Sequence, residues 1–525
     1  MSTNPFDPAS QQHGEPQPGE PGELLQPGQP GAFPVPPGEP AEPPRGGRGR
    51  TVALVGGILA IVAVGAGGAF AFQQVSGGGA QPESVMPANT MAFAKVDLDP
   101  SAGQKLDAIR FIRKFPDARG EVKEDSDLRQ VVFKGLQDDG QLKGVDYAKD
   151  VEPWLGQRIG VGLVPGATDD AEPTAVVALA VTDQDKAKAS LPKIAKSAEA
   201  QCQLVEEFAL CTDGSDKLAA VATAVGKGTL ADSKNFTTDM ADLGEDGVAS
   251  AWFDAEPLAK ATKSLDVGSM IPGMTAGPAT SQTGRVALAL RFDGPHLELA
   301  GHTNGASVKF AGSKTGTGLG QLPDTTLAAV SIANAGDQLE AGWPALEKAV
   351  KDSVGEQEFA DGVDQVEQEL GISVPDDLYA ALGSQFSLVF GGMGEGQSEL
   401  RIAAVSDGDK AVLQKLVDAA GQGMGAGDMT LKPAGGATVV SLSDGYADEL
   451  ASNHGLGDTA RFKDAVQDAD SARVAGFVDI AGLVTEFKDE LGADEAKNFA
   501  GLSALGFTVS GEGNSADFSL RLTTK

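Results

Sequence analysis

The sequence predicts an α+β protein, a tandem duplication of an antiparallel or mixed sheet with helices on one face, preceded by one transmembrane helix. Three observations predict it. Residues 51–72 (TVALVGGILAIVAVGAGGAFAF) run for twenty-two positions without a charge, enough to cross a hydrocarbon core of about 30 Å. Beyond them, short alternating apolar runs read as strands, with stretches of helical spacing between them. Finally, five sequence blocks recur in one order at offsets between 224 and 236 residues.

Residues 1–50 hold thirteen prolines in PGEP- and PGQP-type units. Such a composition buries no core and predicts a disordered cytoplasmic tail of polyproline II character. Arg45, Arg48 and Arg50 precede the apolar run, and the next base is Lys95. The positive-inside rule therefore keeps the tail in the cytoplasm and exports the chain beyond Phe72. A cleaved signal peptide is the competing reading, but it would begin near residue 1 and carry a shorter apolar core. No cysteine directly follows the run for lipid attachment. Ala63, Gly67 and Ala71 form a small-residue stripe that would let two such helices self-associate, although small residues are frequent throughout this stretch. Residues 73–85 read as a Gly-rich tether.

The repeated blocks divide the remainder into residues 86–310 and 322–525, with a Gly/Ser/Thr-rich junction from Gly301 to Gly320. Pro87 and Thr90 match Pro323 and Thr326, and Leu155–Gly156 matches Leu382–Gly383. Asp183, Asp185, Lys186 and Ala187 match Asp407, Asp409, Lys410 and Ala411. LADSKNF (230–236) matches LGDTARF (456–462), and Asp254 and Leu258 match Asp479 and Leu483. Strands are expected at 91–96, 158–164, 175–181, 248–253, 285–292 and 296–301. Ala187, Leu191, Ile194 and Ala198 follow a helical step, as do Leu413, Leu416, Val417 and Ala420. Asp183 and Asp407 are placed to cap those helices.

Composition narrows the function classes. Formal net charge is −33, of which about −30 lies beyond the tail. Such a surface repels phosphate backbones and argues against a nucleic-acid partner. Hydrophobic residues make up 41% and aromatics 5%, so the core must rest on Ala, Val, Leu and Ile. The two cysteines, Cys202 and Cys211, flank QLVEEFAL. A turn at Glu206–Glu207 would set them opposite each other on antiparallel strands, within disulfide reach. Two free thiols or a redox pair are the alternatives, but the spacing is no CxxC.

The apolar run, the VMPANTMAFAKVDLDP opening after it and the DVEPWLGQR block resemble the actinobacterial family known as domain of unknown function (DUF) 3352. The resemblance spans roughly residues 50–525, with the Pro-rich tail outside it. It implies a membrane-anchored envelope protein without an assigned activity, and it supplies no catalytic residue to carry over.

Motifs of chemistry are sparse. Ser190-Leu-Pro-Lys193, Ser233-Lys-Asn235 and Lys314-Thr-Gly316 fit, in order, the SxxK, SxN and KTG pattern of penicillin-binding enzymes. Ser190 would be the nucleophile, Lys193 its proton acceptor and Lys314 a carboxylate clamp. Context speaks against this, since Ser190 falls mid-helix with Pro192 beside it and KTG falls in the junction. His296 and His302, with Glu298 between, line one strand face and read as a solvent-facing row rather than a metal site. The pairs Asp97/Asp99, Asp183/Asp185 and Asp407/Asp409 lack a full Ca²⁺ loop and read as caps and turns. Trp154 reads as core. No catalytic residue, cofactor or metal ligand is assigned. The expected function is non-enzymatic binding or scaffolding in the cell envelope, with the protein anchored in the membrane and its body outside the cytoplasm. Its partners would be the bilayer through residues 51–72 and an unnamed envelope ligand or protein. The alternatives are a lipid or small-molecule carrier with a cleft between the two repeats and, behind it, a serine acyl-enzyme.

Overall fold

The computed structural model describes residues 79–525, apart from 99, 116–126, 139–141, 167, 169–170, 263–283, 306–309, 313–315, 395–398, 424–428, 493–495 and 498. The first half runs β1 (Ala92–Asp97), α1 (Ala102–Ile112), α2 (Leu128–Asp138), β2 (Leu155–Val164), β3 (Thr174–Val181), α3 (Gln184–Ser197), β4 (Gln201–Val205) and β5 (Phe208–Thr212). It continues with α4 (Ser215–Val225), α5 (Lys234–Leu243), β6 (Ala249–Asp254), α6 (Ala255–Thr262), β7 (Arg285–Asp293) and β8 (His296–Asn304). The second half begins with β9 (Ala328–Ala333), α7 (Ala335–Val354), α8 (Glu356–Leu370), α9 (Asp376–Leu382), β10 (Gln385–Met393) and β11 (Leu400–Ser406). Then come α10 (Lys410–Gly423), β12 (Thr430–Ala434), β13 (Ala437–Ser441), α11 (Asp444–Ser452), α12 (Ala460–Ala465), β14 (Val474–Val478), α13 (Ile480–Glu486), β15 (Leu502–Glu512) and β16 (Ser515–Thr524).

Among the described residues sixteen strands form one sheet in the order β12-β13-β11-β10-β9-β14-β15-β16-β8-β7-β6-β1-β2-β3-β5-β4. Read outward from the middle, the two halves have the same strand order. Their registers agree as well. Phe93 pairs with Gly162 in β1/β2, and Ala329 pairs with Val389 in β9/β10, which are the same positions under the block matches. Leu155 opens β2, whereas Leu382 closes the helix before β10.

The halves meet where β8 pairs antiparallel with β16, from Leu297↔Leu522 to Asn304↔Ser515. At Gly301 a Cβ would lie 2.0 Å from the Phe518 ring, so the missing side chain is what lets that ring lie across the seam.

Two parts of the expected fold class are corrected, and the antiparallel-or-mixed expectation narrows to antiparallel. The strands make one continuous sheet, because the last strand of each half supplies the other's missing hydrogen-bonding edge. Every strand pair between neighbours is antiparallel, with no mixed pairing. Helices cover both faces. Leu210 packs with Leu218, Val221, Phe236 and Leu243 of α4 and α5, while its neighbour Ala209 packs with Ala187, Leu191 and Ile194 of α3. Successive strand residues point to opposite faces, so these helices lie on opposite sides. The second half does the same, with Val439 under α11 and Leu431 under α10. Each large apolar side chain buried this way contributes about 2 kcal/mol.

The expected transmembrane helix is not supported. Among the described residues no helix is long and apolar enough to cross a membrane, and 51–72 lies outside them.

One block match also shifts. Asp183 caps α3, accepting from the Lys186 N–H at 3.1 Å. In the second half Asp409 caps α10 through the Ala411 N–H at 2.7 Å. Asp407 instead accepts the N–H groups of Ser384 and Gln385, both at 2.7 Å, at the start of β10. The functional match is therefore Asp183 with Asp409.

Candidate functional site

The His296–Glu298–His302 row lies on β8, a strand with a partner on each side. Its burial shows that it is not the solvent-facing row its alternation predicts. Glu298 and His302 are buried. Glu298 accepts from Arg291 Nε at 2.6 Å and from the Ser519 hydroxyl at 2.7 Å. His302 Nδ1 sits 2.7 Å from Asp517, and its Nε2 lies 3.7 Å from Asp242. His296 faces the other end of the row, where its Nδ1 accepts the Thr524 N–H at 3.3 Å. Burial first, and then the Arg521 guanidinium, hold the His296 imidazole below its ordinary range. The row is thus a set of internally paired polar groups along the seam between the halves. Among the described residues no group of three His, Cys, Asp or Glu is placed to hold a metal.

The SxxK/SxN/KTG residues are not brought together. Ser190 sits inside α3, with Pro192 two residues on, and Lys193 is paired with Asp150. Ser233 and Asn235 lie at the start of α5, on the opposite face of the sheet. Lys314 lies outside the described residues. Trp154 is core, with its indole N–H donated to the Asp150 carbonyl at 2.6 Å. Asp97 bonds Arg158 at 2.9 Å, and Asp99 is outside the described residues. Cys202 and Cys211 pair directly across β4/β5, with Cα atoms 4.1 Å apart, and are joined by a disulfide.

Between the halves the β8/β16 ladder occupies the place where an inter-repeat cleft would lie. Two depressions, of about 300 and 590 Å³, lie instead within the second half. They are bordered by Gly320, His454, Gly457 and Asp458, and by Lys463, Gln467 and Asp470.

Two features carry no signature in the sequence. The first is a buried charge in the first half. Asp239 is fully buried, accepts from Arg285 at 2.7 and 3.1 Å and from the Trp252 indole at 2.8 Å. The corresponding second-half positions are the apolar Ala465, Ala504 and Phe477. No local motif announces such a pair, since its members lie 46 residues apart.

The second feature is an apolar surface. Leu388 in β10 is 51% exposed, and Leu400, Ile402 and Leu442 are 40%, 42% and 39% exposed. Leu388 occupies the position that Val161 holds in the first half, by the matching pairs Ala94↔Val161 and Val330↔Leu388. Val161 is 6% exposed. On this face of the first half, α3 and the segment around Phe133, Tyr147 and Trp154 form a cluster over the sheet. In the second half α10, the counterpart of α3, covers Leu431, while α7 and α8, which follow β9 as α1 and α2 follow β1, stand away from the sheet. Past its first two residues α7 has no buried residue, and α8 has none. A binding surface of this kind offers apolar contact area without a catalytic group.

Residues 53–209 match the family model of DUF3352, described as a protein of unknown function. The match reaches from before the described residues to β5, and the second half lies outside it. This supports the DUF3352 family for residues 53–209. No curated protein matches. Among solved structures, crystal forms I and III of TP0453 are similar at 9% identity, with TM-scores of 0.23 and 0.24. They cover 45% and 44% of this chain and 83% of that one, a likeness too slight to bear on the fold.

Proposed function

We propose that the protein is a non-enzymatic binding or scaffolding protein working outside the cytoplasm, and that the uncovered sheet face of the second half is its docking surface. The observation that carries this reading is the contrast between Leu388 and Val161, two residues at one position of the repeated topology with opposite exposure. Exposed apolar residues clustered on one sheet face mark interaction sites more often than scattered ones do. The extracytoplasmic location draws support from the Cys202–Cys211 disulfide, since such bonds persist in oxidising compartments.

The test is binding of a fluorescent apolar dye to the native full chain, compared with a Leu388→Asp/Ile402→Asp variant. A docking surface requires dye binding that falls in the variant while the unfolding midpoint stays unchanged. Unchanged dye binding, or a collapse of the midpoint, would mean that these side chains are not the open surface.

A further inference from the structure

Resting on that docking reading, we infer that the partner is a cationic amphipathic polypeptide segment, received along α8 and the sheet face beside it. Two properties of α8 carry this. Phe359, Val363, Val366 and Leu370 follow a 4, 3, 4 step and form one apolar stripe. None of them is buried, and Val366 is 40% exposed. The margins of the stripe are acidic. At 100° per residue, Glu356 and Glu367 fall along one side and Glu358 and Glu369 along the other. The helix contains no Lys or Arg.

The helix and the exposed sheet residues share one face. Leu370 packs into the cluster of Ala381, Val412, Leu413 and Leu431. Leu431 stands in the cross-strand row Leu431, Val440, Ala404, Leu388. The whole stretch 335–382 holds twelve carboxylates against two lysines, and those lysines are already paired with Asp352 and Glu347. An apolar stripe between two rows of carboxylates, with Lys351 5.2 Å over the Phe359 ring at one end, complements a helix whose apolar face is flanked by Lys or Arg. It repels an anionic segment and an anionic bilayer alike.

The experiment uses the full chain and three probes: a fluorescent amphipathic Leu/Lys peptide, its Leu/Glu counterpart, and phosphatidylcholine vesicles. The Leu/Lys peptide should bind in a salt-sensitive way and the other two should not. Glu356→Lys/Glu369→Lys, at the margins of the stripe, should weaken its binding about tenfold. Asp361→Lys/Asp364→Lys makes the same charge change on the far side of the helix and should alter binding less than about twofold. Equal losses in both variants would reduce the effect to bulk charge and overturn the inference. So would equal binding of the Leu/Glu peptide, or vesicle binding that displaces the Leu/Lys peptide. Since α8 has no buried residue, both variants should keep the wild-type circular dichroism and unfolding midpoint. The dye experiment separates the two levels. Dye binding lost in Leu388→Asp/Ile402→Asp, without selective Leu/Lys binding, would leave the docking surface standing and remove the cationic partner.

Discussion

The two halves share a strand order but solve the same positions with different chemistry. Cys202 and Cys211, bonded across β4/β5, correspond to Leu431 and Val440 across β12/β13. The buried Asp239–Arg285 pair corresponds to Ala465 and Ala504, and Trp252 to Phe477. Lys95, held by Glu83 at 2.8 Å and Asp246 at 2.7 Å, corresponds to Ser331, whose hydroxyl meets that of Ser387 at 2.6 Å. The difference teaches that topology needs only the right period and volume at each position. Covalent, ionic and apolar pairs then serve interchangeably. Where the halves differ in exposure rather than in core chemistry, no such equivalence holds, and the docking surface is sought there.

The largest test of the comparison puts one substitution at equivalent positions. Val161→Asp should destabilise by about 4 kcal/mol, because it buries a carboxylate. Leu388→Asp should change stability by less than about 0.5 kcal/mol. Denaturant unfolding measures both, and similar losses would erase the contrast between the faces.

Next in size is the buried pair. Asp239→Ala leaves Arg285 and the Trp252 indole without their acceptor and should cost about 3 kcal/mol. Adding Arg285→Ala reproduces the second half's Ala/Ala solution and should recover a large part of that loss. A double-mutant cycle reads the recovery, and strict additivity would show that the two chemistries are not interchangeable.

The disulfide closes a short loop, with eight residues between its cysteines. Its reduction should lower stability by about 2 kcal/mol. Cys202→Leu/Cys211→Val, borrowing the pair from β12/β13, should lose less than the reduced protein does. Labelling the unreduced protein with a thiol reagent checks the bond itself, and two reactive thiols would refute it.

The smallest expected effect is alkaline. Burial alone would lower the Lys95 ammonium, but Glu83 and Asp246 outweigh it and hold the group above its ordinary value of 10.5. A pKa raised on folding contributes stability below the unfolded value and loses it as pH rises through the folded one. Stability should therefore decline above about pH 10.5, and Lys95→Ser should flatten that decline. A slope unchanged in Lys95→Ser would assign the alkaline loss to other groups.

Much of this architecture is legible in the residues. Alternation places β1, β2, β3, β6, β7 and β8 within a few residues of where they lie, because period-two burial leaves a direct trace. The helical step of Ala187, Leu191 and Ile194 is the buried stripe of α3. The repeat matches hold at the LADSKNF/LGDTARF blocks, where Phe236 and Phe462 are both core. They slip by two residues at Asp407, because an aspartate near a strand end can cap a helix or close a ladder, and local sequence does not choose between them. The solvent-facing expectation for His296, Glu298 and His302 fails for a related reason. Alternation shows that one face is polar, but not that a strand from the other half will cover the open edge of β8.

By itself, the sequence determined the first-half strands, the Asp183 cap and the facing cysteines. Each of these depends on neighbours within about a dozen residues, where spacing translates directly into geometry. Only the tertiary structure decided that the halves merge into one sheet, that Glu298 is buried in the seam, and that Leu388 is open while Val161 is closed. FSLVF at 386–390 is apolar at four of its five positions. Its outer side is left uncovered because α7 and α8 stand away from the sheet, and that placement is set by contacts between elements distant in the chain.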